Sequence, residues 1–237
     1  AEDQATADRA LALVKVAYDP LPALLDPFEA MAETEIKIHD RGNVAFKFEK
    51  LYGDIQQGFN GADIIIENTY RTSKQKHAAL EPFGTCVAHY QSNGKLTVHS
   101  STQLPHWSRH YLAGALDLPL NKVRVIKPHT GGSFGGRCGL IHGLEVMCSW
   151  LARRTGQPVR MSFTREEDMM ATETRHPMTI RMKTGATEAG ILTANEVEIV
   201  SDVGAYGTHY IGVIADCLST GVGLYKIPNY SFSATAV

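Results

Sequence analysis

Nothing in the 237 residues has the spacing of a cysteine-built metal site. The four cysteines, Cys86, Cys138, Cys148 and Cys217, form no Cys-x-x-Cys pair, which excludes a zinc knuckle or an iron–sulfur cluster held by this chain and makes reduced thiols the expectation. Neither sign of charge dominates. A formal net charge of -2 gives no electrostatic drive toward nucleic acid or a membrane surface, and no apolar run reaches the length needed to span a bilayer. Both partners are excluded on this reading, and a cytoplasmic setting is expected. Ala1-Glu2-Asp3 shows no initiator methionine and no signal peptide, and the last residues, Ser231 to Val237, stop inside a strand-like run. The chain reads as a piece of something longer.

What is present is ordinary globular composition, 43% hydrophobic and 20% charged, at a length that permits one large or two small domains. Asn93-Gly94 between Cys86–Tyr90 and Leu96–Val98 predicts a hairpin. Leu104, Trp107, Tyr111, Leu112 and Ala115 fall at helical spacing, as do Leu140, Ile141, Leu144, Met147, Cys148 and Leu151 before the Gly156 stop. Thr164-Arg-Glu-Glu167 is a capping box, and residues 179–184 and 191–200 read as strands around a turn at Glu188-Ala-Gly190. Meandering strands with a few helices argue an α+β fold with mixed sheets.

Between the strand-like Val123–Ile126 and the second helical pattern lies Thr130-Gly-Gly-Ser-Phe-Gly-Gly-Arg137. Four glycines around one phenylalanine imply a need for bare backbone, either to approach a ligand or to let strand and helix pack closely. A helix following at once would point free N–H groups at an anion. The loop is neither a Walker A sequence nor the spaced glycine fingerprint of dinucleotide folds.

Gly-Gly-Ser-Phe-Gly-Gly-Arg resembles the glycine–phenylalanine loop of the molybdenum hydroxylases, the family of xanthine dehydrogenase, aldehyde oxidase, carbon monoxide dehydrogenase and 4-hydroxybenzoyl-CoA reductase. Further parts of that pattern follow in order: Gln75-Lys-His77, Leu80-Glu-Pro82, Ser101-Thr-Gln103, Gly156-Gln-Pro-Val-Arg160, Thr164 to Asp168, Arg175-His-Pro177, Gly204-Ala-Tyr206 and Tyr225-Lys-Ile-Pro-Asn229. The resemblance implies the first half of a molybdopterin-binding region. Residues 1–34 would be the remnant of a preceding small α/β domain, a helix followed by a Val-x-Tyr strand. Residues 35–62 would be a connector, and 63–237 the first molybdopterin-binding domain, truncated at its C-terminal end.

It further implies a molybdenum–pterin cofactor, molybdopterin or its cytosine dinucleotide form, bound only in the complete assembly. Gln103 would offer its amide to the metal's oxygen, and Gly132, Ser133, Phe134, Gly135 and Gly136 would line the cofactor, with Phe134 beside the metal and neighbouring N–H groups free for oxygen ligands. Cys138 would face the substrate, the alternative being a small packing residue at the first turn of a helix. Purine-oxidising members carry a glutamate at that position and an arginine near Asp216, so a purine is not the expected substrate. The implied reaction hydroxylates an aldehyde, an N-heterocycle or a related small molecule with water, or dehydroxylates it reductively in one branch. Electrons would leave through an iron–sulfur subunit and a flavin subunit, and the remaining part of the molybdenum subunit would supply a second cofactor loop and the base. The alternative is a cofactor-free fragment or scaffold half, inactive alone.

Two other patterns lead elsewhere. Ser92-Asn-Gly-Lys95 with Lys183-Thr-Gly185 formally matches two boxes of serine β-lactamases, but that chemistry needs the serine at the head of a helix. His106 and His110, one helical turn apart, could share a zinc ion, yet Trp107 stands where the metalloprotease motif has glutamate and no third ligand is evident.

Overall fold

The structure, a computed structural model, describes residues 1–32, 34–138 and 143–237. In chain order the elements are α1 (Gln4–Ala12), α2 (Pro27–Met31), β1 (Phe46–Tyr52), α3 (Ile55–Asn60), β2 (Ile64–Arg71), β3 (Gln75–Lys76), β4 (Cys86–Tyr90), β5 (Leu96–Ser100), α4 (Pro105–Ala115) and β6 (Val123–Ile126). They continue with α5 (Leu144–Thr155), β7 (Val159–Met161), α6 (Arg165–Ala171), β8 (Thr174–Arg175), β9 (Met178–Ala186), β10 (Leu192–Ser201), α7 (Tyr210–Gly223) and β11 (Tyr230–Ala236). Two sheets dominate: a five-stranded sheet ordered β1-β11-β10-β9-β2 and a four-stranded sheet ordered β6-β5-β4-β7, with the short ribbon β3-β8 as a third. The α+β expectation with mixed sheets holds.

In the four-stranded sheet, β4 and β5 form the hairpin that Asn93-Gly94 predicts, while β5 and β6 run parallel. Parallel neighbours need a crossover, and α4 supplies it. α4 packs on β6 and α5 on β4 and β7, and the helices touch, so both cover one face. The core there is Ala88, Leu96, Val98, Leu112, Cys148 and Ala152. α4 is rotated from the expected stripe: Ser108, Leu112 and Ala113 are buried, while Trp107 is 72% exposed. Ser108 can face inward because its hydroxyl is within 3.0 Å of Thr102 Oγ1, which satisfies a polar group that burial would otherwise penalise. On α5 likewise, Leu144 and Cys148 are buried but Met147 is exposed, and Leu140 and Ile141 of that stripe lie outside the described residues.

In the five-stranded sheet, strict alternation sends Met182, Val197, Ile199, Phe232 and Ala234 toward α7, whose Ile214 is buried against them. Lys183, Arg181, Glu196 and Glu198 face the other way, where Arg181 pairs with Glu67 at 2.6 Å. β10 and β11 are parallel and α7 is their crossover, so this helix, not expected from sequence, is a topological requirement.

Two expectations need correction. The stretch read as a connector carries β1 and α3, and β1 pairs antiparallel with β11 from Phe46↔Ala236 to Tyr52↔Tyr230. Its apolar alternation, Phe46 and Phe48, is short and interrupted by lysines, so the pairing partner defines the strand. The Val-x-Tyr strand does not form: among the described residues there is no strand before Phe46, and Val16 and Tyr18 are exposed. Thr164 caps α6 as predicted, with both halves of the box made.

The rotation of α4 gives a direct check. Leu112→Ala should destabilise the chain by about 2–5 kcal/mol in urea titration, because its side chain is fully buried. Trp107→Ala, despite removing more surface, should stay within about 0.5 kcal/mol. A larger loss for Trp107 would contradict the observed orientation.

Candidate functional site

The glycine loop leaves the carboxyl end of β6 and folds into two overlapping turns, Gly136 N–H to Ser133 O at 3.0 Å and Cys138 N–H to Gly135 O at 3.2 Å. Its glycines are required for different reasons. A Cβ on Gly136 would lie 2.2 Å from the Phe83 ring and 2.6 Å from His77 Nδ1, so no side chain fits. Gly135 has open space around it but a φ of +93°, so conformation selects glycine there. Phe134 itself sits at φ 51°, uncommon for a bulky residue, and its ring is 75% exposed. The loop thus holds an aromatic ring out from the surface, on backbone that no side chain covers at Gly135.

Arg137 fixes this shape. Its guanidinium is almost fully buried and donates to Gly132 O (2.9 Å), Glu81 O (2.8 Å), Pro82 O (3.3 Å), Ser101 O (3.3 Å) and the Ser101 hydroxyl, and it pairs with the Glu81 carboxylate at 3.4 Å. It also lies 4.7 Å from the centre of the Phe83 ring. Burial pulls the arginine below its usual range, and the Glu81 charge opposes that shift. The other Glu81 oxygen accepts from Gly131 N–H at 2.6 Å, so one carboxylate grips both ends of the loop.

Gln103 is stitched to the same loop. Its N–H donates to Arg137 O at 3.0 Å, and its side-chain Oε1 accepts from Gly135 N–H (3.1 Å) and Arg137 N–H (3.3 Å). Because both partners are donors, only the amide oxygen can face them, and this sets the amide's orientation. Among the described residues, the Nε2 hydrogens have no acceptor. Sequence order brings these groups together simply: β5 and β6 are parallel, so the residues after each strand emerge at one edge.

The loop's N–H groups are less open than expected. Those of Gly131, Gly135, Gly136, Arg137 and Cys138 are occupied within the chain, which leaves Gly132, Ser133 and Phe134 without an internal acceptor among the described residues. α5 opens at Leu144 behind Gly143 in the left-handed region, and residues 139–142 between it and the turns that end at Cys138 lie outside the described residues.

Beside Phe134 and Gly135 lies a cleft of about 390 Å³, walled by β3 with His77, by Glu173 to His176, and by Thr208 and His209. Lys76 Nζ donates to Glu173 O at 3.1 Å and to Thr172 O. Burial holds Lys76, His77 and His176 below their usual values and pushes Glu173 above its own. The Cys138 thiol is pushed up as well, first by burial and then by the Glu173 charge, so this residue is a poor nucleophile near the cleft. Neither Arg137 nor Glu173 stood out from sequence, although Arg137 ends the glycine motif and its partner Glu81 lies in Leu80-Glu-Pro82. Ser92 sits in the hairpin turn, which removes the acyl-transfer geometry. Among the described residues no group of three His, Cys, Asp or Glu side chains is placed to hold a metal ion.

Residues 38–237 match the family described as molybdopterin cofactor-binding domain. The chain is 38% identical over 228 residues to the nicotinate dehydrogenase large molybdopterin subunit of Eubacterium barkeri, covering 96% of this chain and 53% of that protein. It is 35% identical to a probable xanthine dehydrogenase subunit of Bacillus subtilis (strain 168), covering 97% of this chain and 30% of the relative. The aldehyde oxidoreductase structure from Desulfovibrio gigas superposes on all of it with a TM-score of 0.89 at 26% identity, over 26% of that protein. The chain therefore spans about half, or less, of the length of these relatives.

Arg137→Met should cost about 3 kcal/mol in denaturant titration, the low end for breaking a buried pair because a quarter of the Glu81 side chain is exposed. A loss under about 1 kcal/mol would mean that the guanidinium network does not hold the loop. Cys138 should react with iodoacetamide more slowly than an ordinary exposed thiol near pH 8 and catch up only at higher pH, followed by mass spectrometry. Modification at the ordinary rate would contradict its burial.

Proposed function

The chain belongs to the molybdopterin cofactor-binding domain family, and we propose that it supplies the loop face of a molybdenum–pterin site in an oxidoreductase. The reaction is hydroxylation of an aldehyde, an N-heterocycle or a related small molecule with water as the oxygen source, run reductively in one branch. The supporting observation is the Gln103 amide: its oxygen is consumed by Gly135 and Arg137 N–H of the loop, so its N–H pair is held in a set orientation with no acceptor among the described residues. When bound, the cofactor supplies the two-electron chemistry that these side chains lack.

The residues present fit such a group. Gln103 Nε2 and the N–H groups of Gly132, Ser133 and Phe134 would donate hydrogen bonds to its oxygen atoms. Phe134 forms an apolar wall that excludes water from one side, and Gly135 leaves room for close approach of backbone. Gly136 makes no direct contact in this reading and instead seats the loop against Phe83 and His77. Cys138 lies at the substrate side as a small, unreactive wall. The remaining part of the molybdenum subunit, an iron–sulfur subunit and a flavin subunit complete the assembly in this proposal, in the cytoplasm; no described helix is long and apolar enough to cross a membrane.

Elemental analysis of the chain purified from its native host with whatever co-purifies should find about one molybdenum per copy, with an equivalent of pterin. Gln103→Ala should lower that content several-fold while leaving assembly intact. Metal absent from the native complex would sink the cofactor assignment and leave a scaffold.

A further inference from the structure

The cleft beside Phe134 is one end of a line of three hollows. It shares Glu173, Thr174, His176 and Thr208 with a cavity of about 170 Å³, and that cavity shares Asp202, Gly204 and Tyr206 with a hollow of about 280 Å³. Residues lining two neighbouring hollows form the wall between them. The inner wall is polar, and Glu173 is the one carboxylate among the described residues that line the cleft.

That carboxyl is in an unusual state. Its Oε1 is closed off from solvent and has no hydrogen-bond partner, while Thr208 serves the carboxyl as a side-chain donor. An ionised buried carboxylate with an unsatisfied oxygen is costly, and taking up a proton relieves most of that cost. His77 Nδ1, on the cleft's β3 wall, is left without a partner in the same way.

We propose that Glu173 is the proton-carrying group of a polar passage from the Phe134 cleft, through the smaller cavity, to the surface near Tyr206. This rests on the hydroxylation reading. Replacing C–H by C–OH with oxygen from water releases a pair of electrons, which leave through the redox group, and a pair of protons, which need another exit. A water in the cleft that has taken up a released proton passes it to the Glu173 carboxylate and is neutral again, and rotation of the carboxyl hands the proton to water on the far side of the wall, which restores the carboxylate. No covalent bond other than O–H forms or breaks, and no electron moves in this step.

The surroundings suit the role. Burial raises the affinity of Glu173 for a proton, and the Thr208 hydroxyl and Lys76 ammonium restrain that rise. The other titratable groups facing this wall are His77, Arg175, His176 and His209 from the cleft, Cys138 at the loop, and Lys74, Asp202 and Tyr206 from the smaller cavity.

The test begins on the chain without metal. In a sample labelled with 13C at glutamate side-chain carboxyls and assigned by Glu173→Gln, Glu173 should titrate above the ordinary glutamate range, and Thr208→Val should move it higher. Ala171→Trp, which fills the smaller cavity, should slow exchange of the His176 ring N–H with water several-fold. Titration in the ordinary range, or exchange indifferent to the plug, overturns the proposal. In the metal-loaded assembly, Glu173→Gln should lower kcat several-fold at unchanged KM and enlarge the solvent deuterium isotope effect, with partial rescue by Glu173→Asp. An unchanged isotope effect also overturns it. A loaded wild-type assembly that hydroxylates nothing defeats the functional reading instead, and the metal-free titration and exchange still decide whether Glu173 holds and passes a proton.

Discussion

The buried guanidinium of Arg137 is the constraint on which the loop, and through it the candidate site, depends. Residues 79–82 run irregularly, and their carbonyls have no strand partner to satisfy them. Two arginines do so instead: Arg165 donates to Ala79 O (2.6 Å) and Leu80 O (2.8 Å), and Arg137 takes Glu81 O and Pro82 O. Arg165 is itself held by the buried Asp168 at 2.7 Å, so the capped helix α6 anchors one end of the turn and the glycine loop the other. A lysine in either place could not serve several acceptors in a plane. The left-handed conformation of Phe134 persists because its neighbours on both sides are fixed in this way.

Topology explains why the Gln103 segment and the loop meet. Both follow parallel neighbours in one sheet, and α4, the crossover between them, is seated by Leu112 in the core and by Ser108 on Thr102. The Thr102 hydroxyl lies 3.3 Å from Arg137 O, so the start of the helix and the end of the loop share one polar knot. A surface held at strand ends by such internal hydrogen bonds is shaped before any ligand arrives, which lowers the ordering cost of binding.

Much of this was legible in the sequence where the determinants are local. Asn93-Gly94 set a hairpin, Thr164-Arg-Glu-Glu167 set a capped helix, and the glycine–phenylalanine run announced its backbone demands. What escaped was set by distant partners. α7 contains Gly212 and Gly221 and is apolar over most of its length, so it shows little helical periodicity; it is required by the parallel pairing of β10 with β11. β1 is a strand because β11 offers an edge. Arg137 read as a basic residue ending a motif, and only the packing of Phe83, Ser101 and Glu81 around it reveals a buried clamp. The use of the Gln103 oxygen within the chain was likewise invisible, since spacing says nothing about which end of an amide is consumed.

Gln103 and Arg137 shape the loop without the cofactor's help. Amide hydrogen exchange in the metal-free chain tests it at the two bonds concerned. Gly135 and Arg137 N–H should be protected well beyond the free N–H of Phe134, and Gln103→Ala should abolish that protection while the sheet amides of β4 and β5 keep theirs. Equal, fast exchange at Gly135, Arg137 and Phe134 in the wild-type chain would contradict this and mean that the loop takes its shape only on binding.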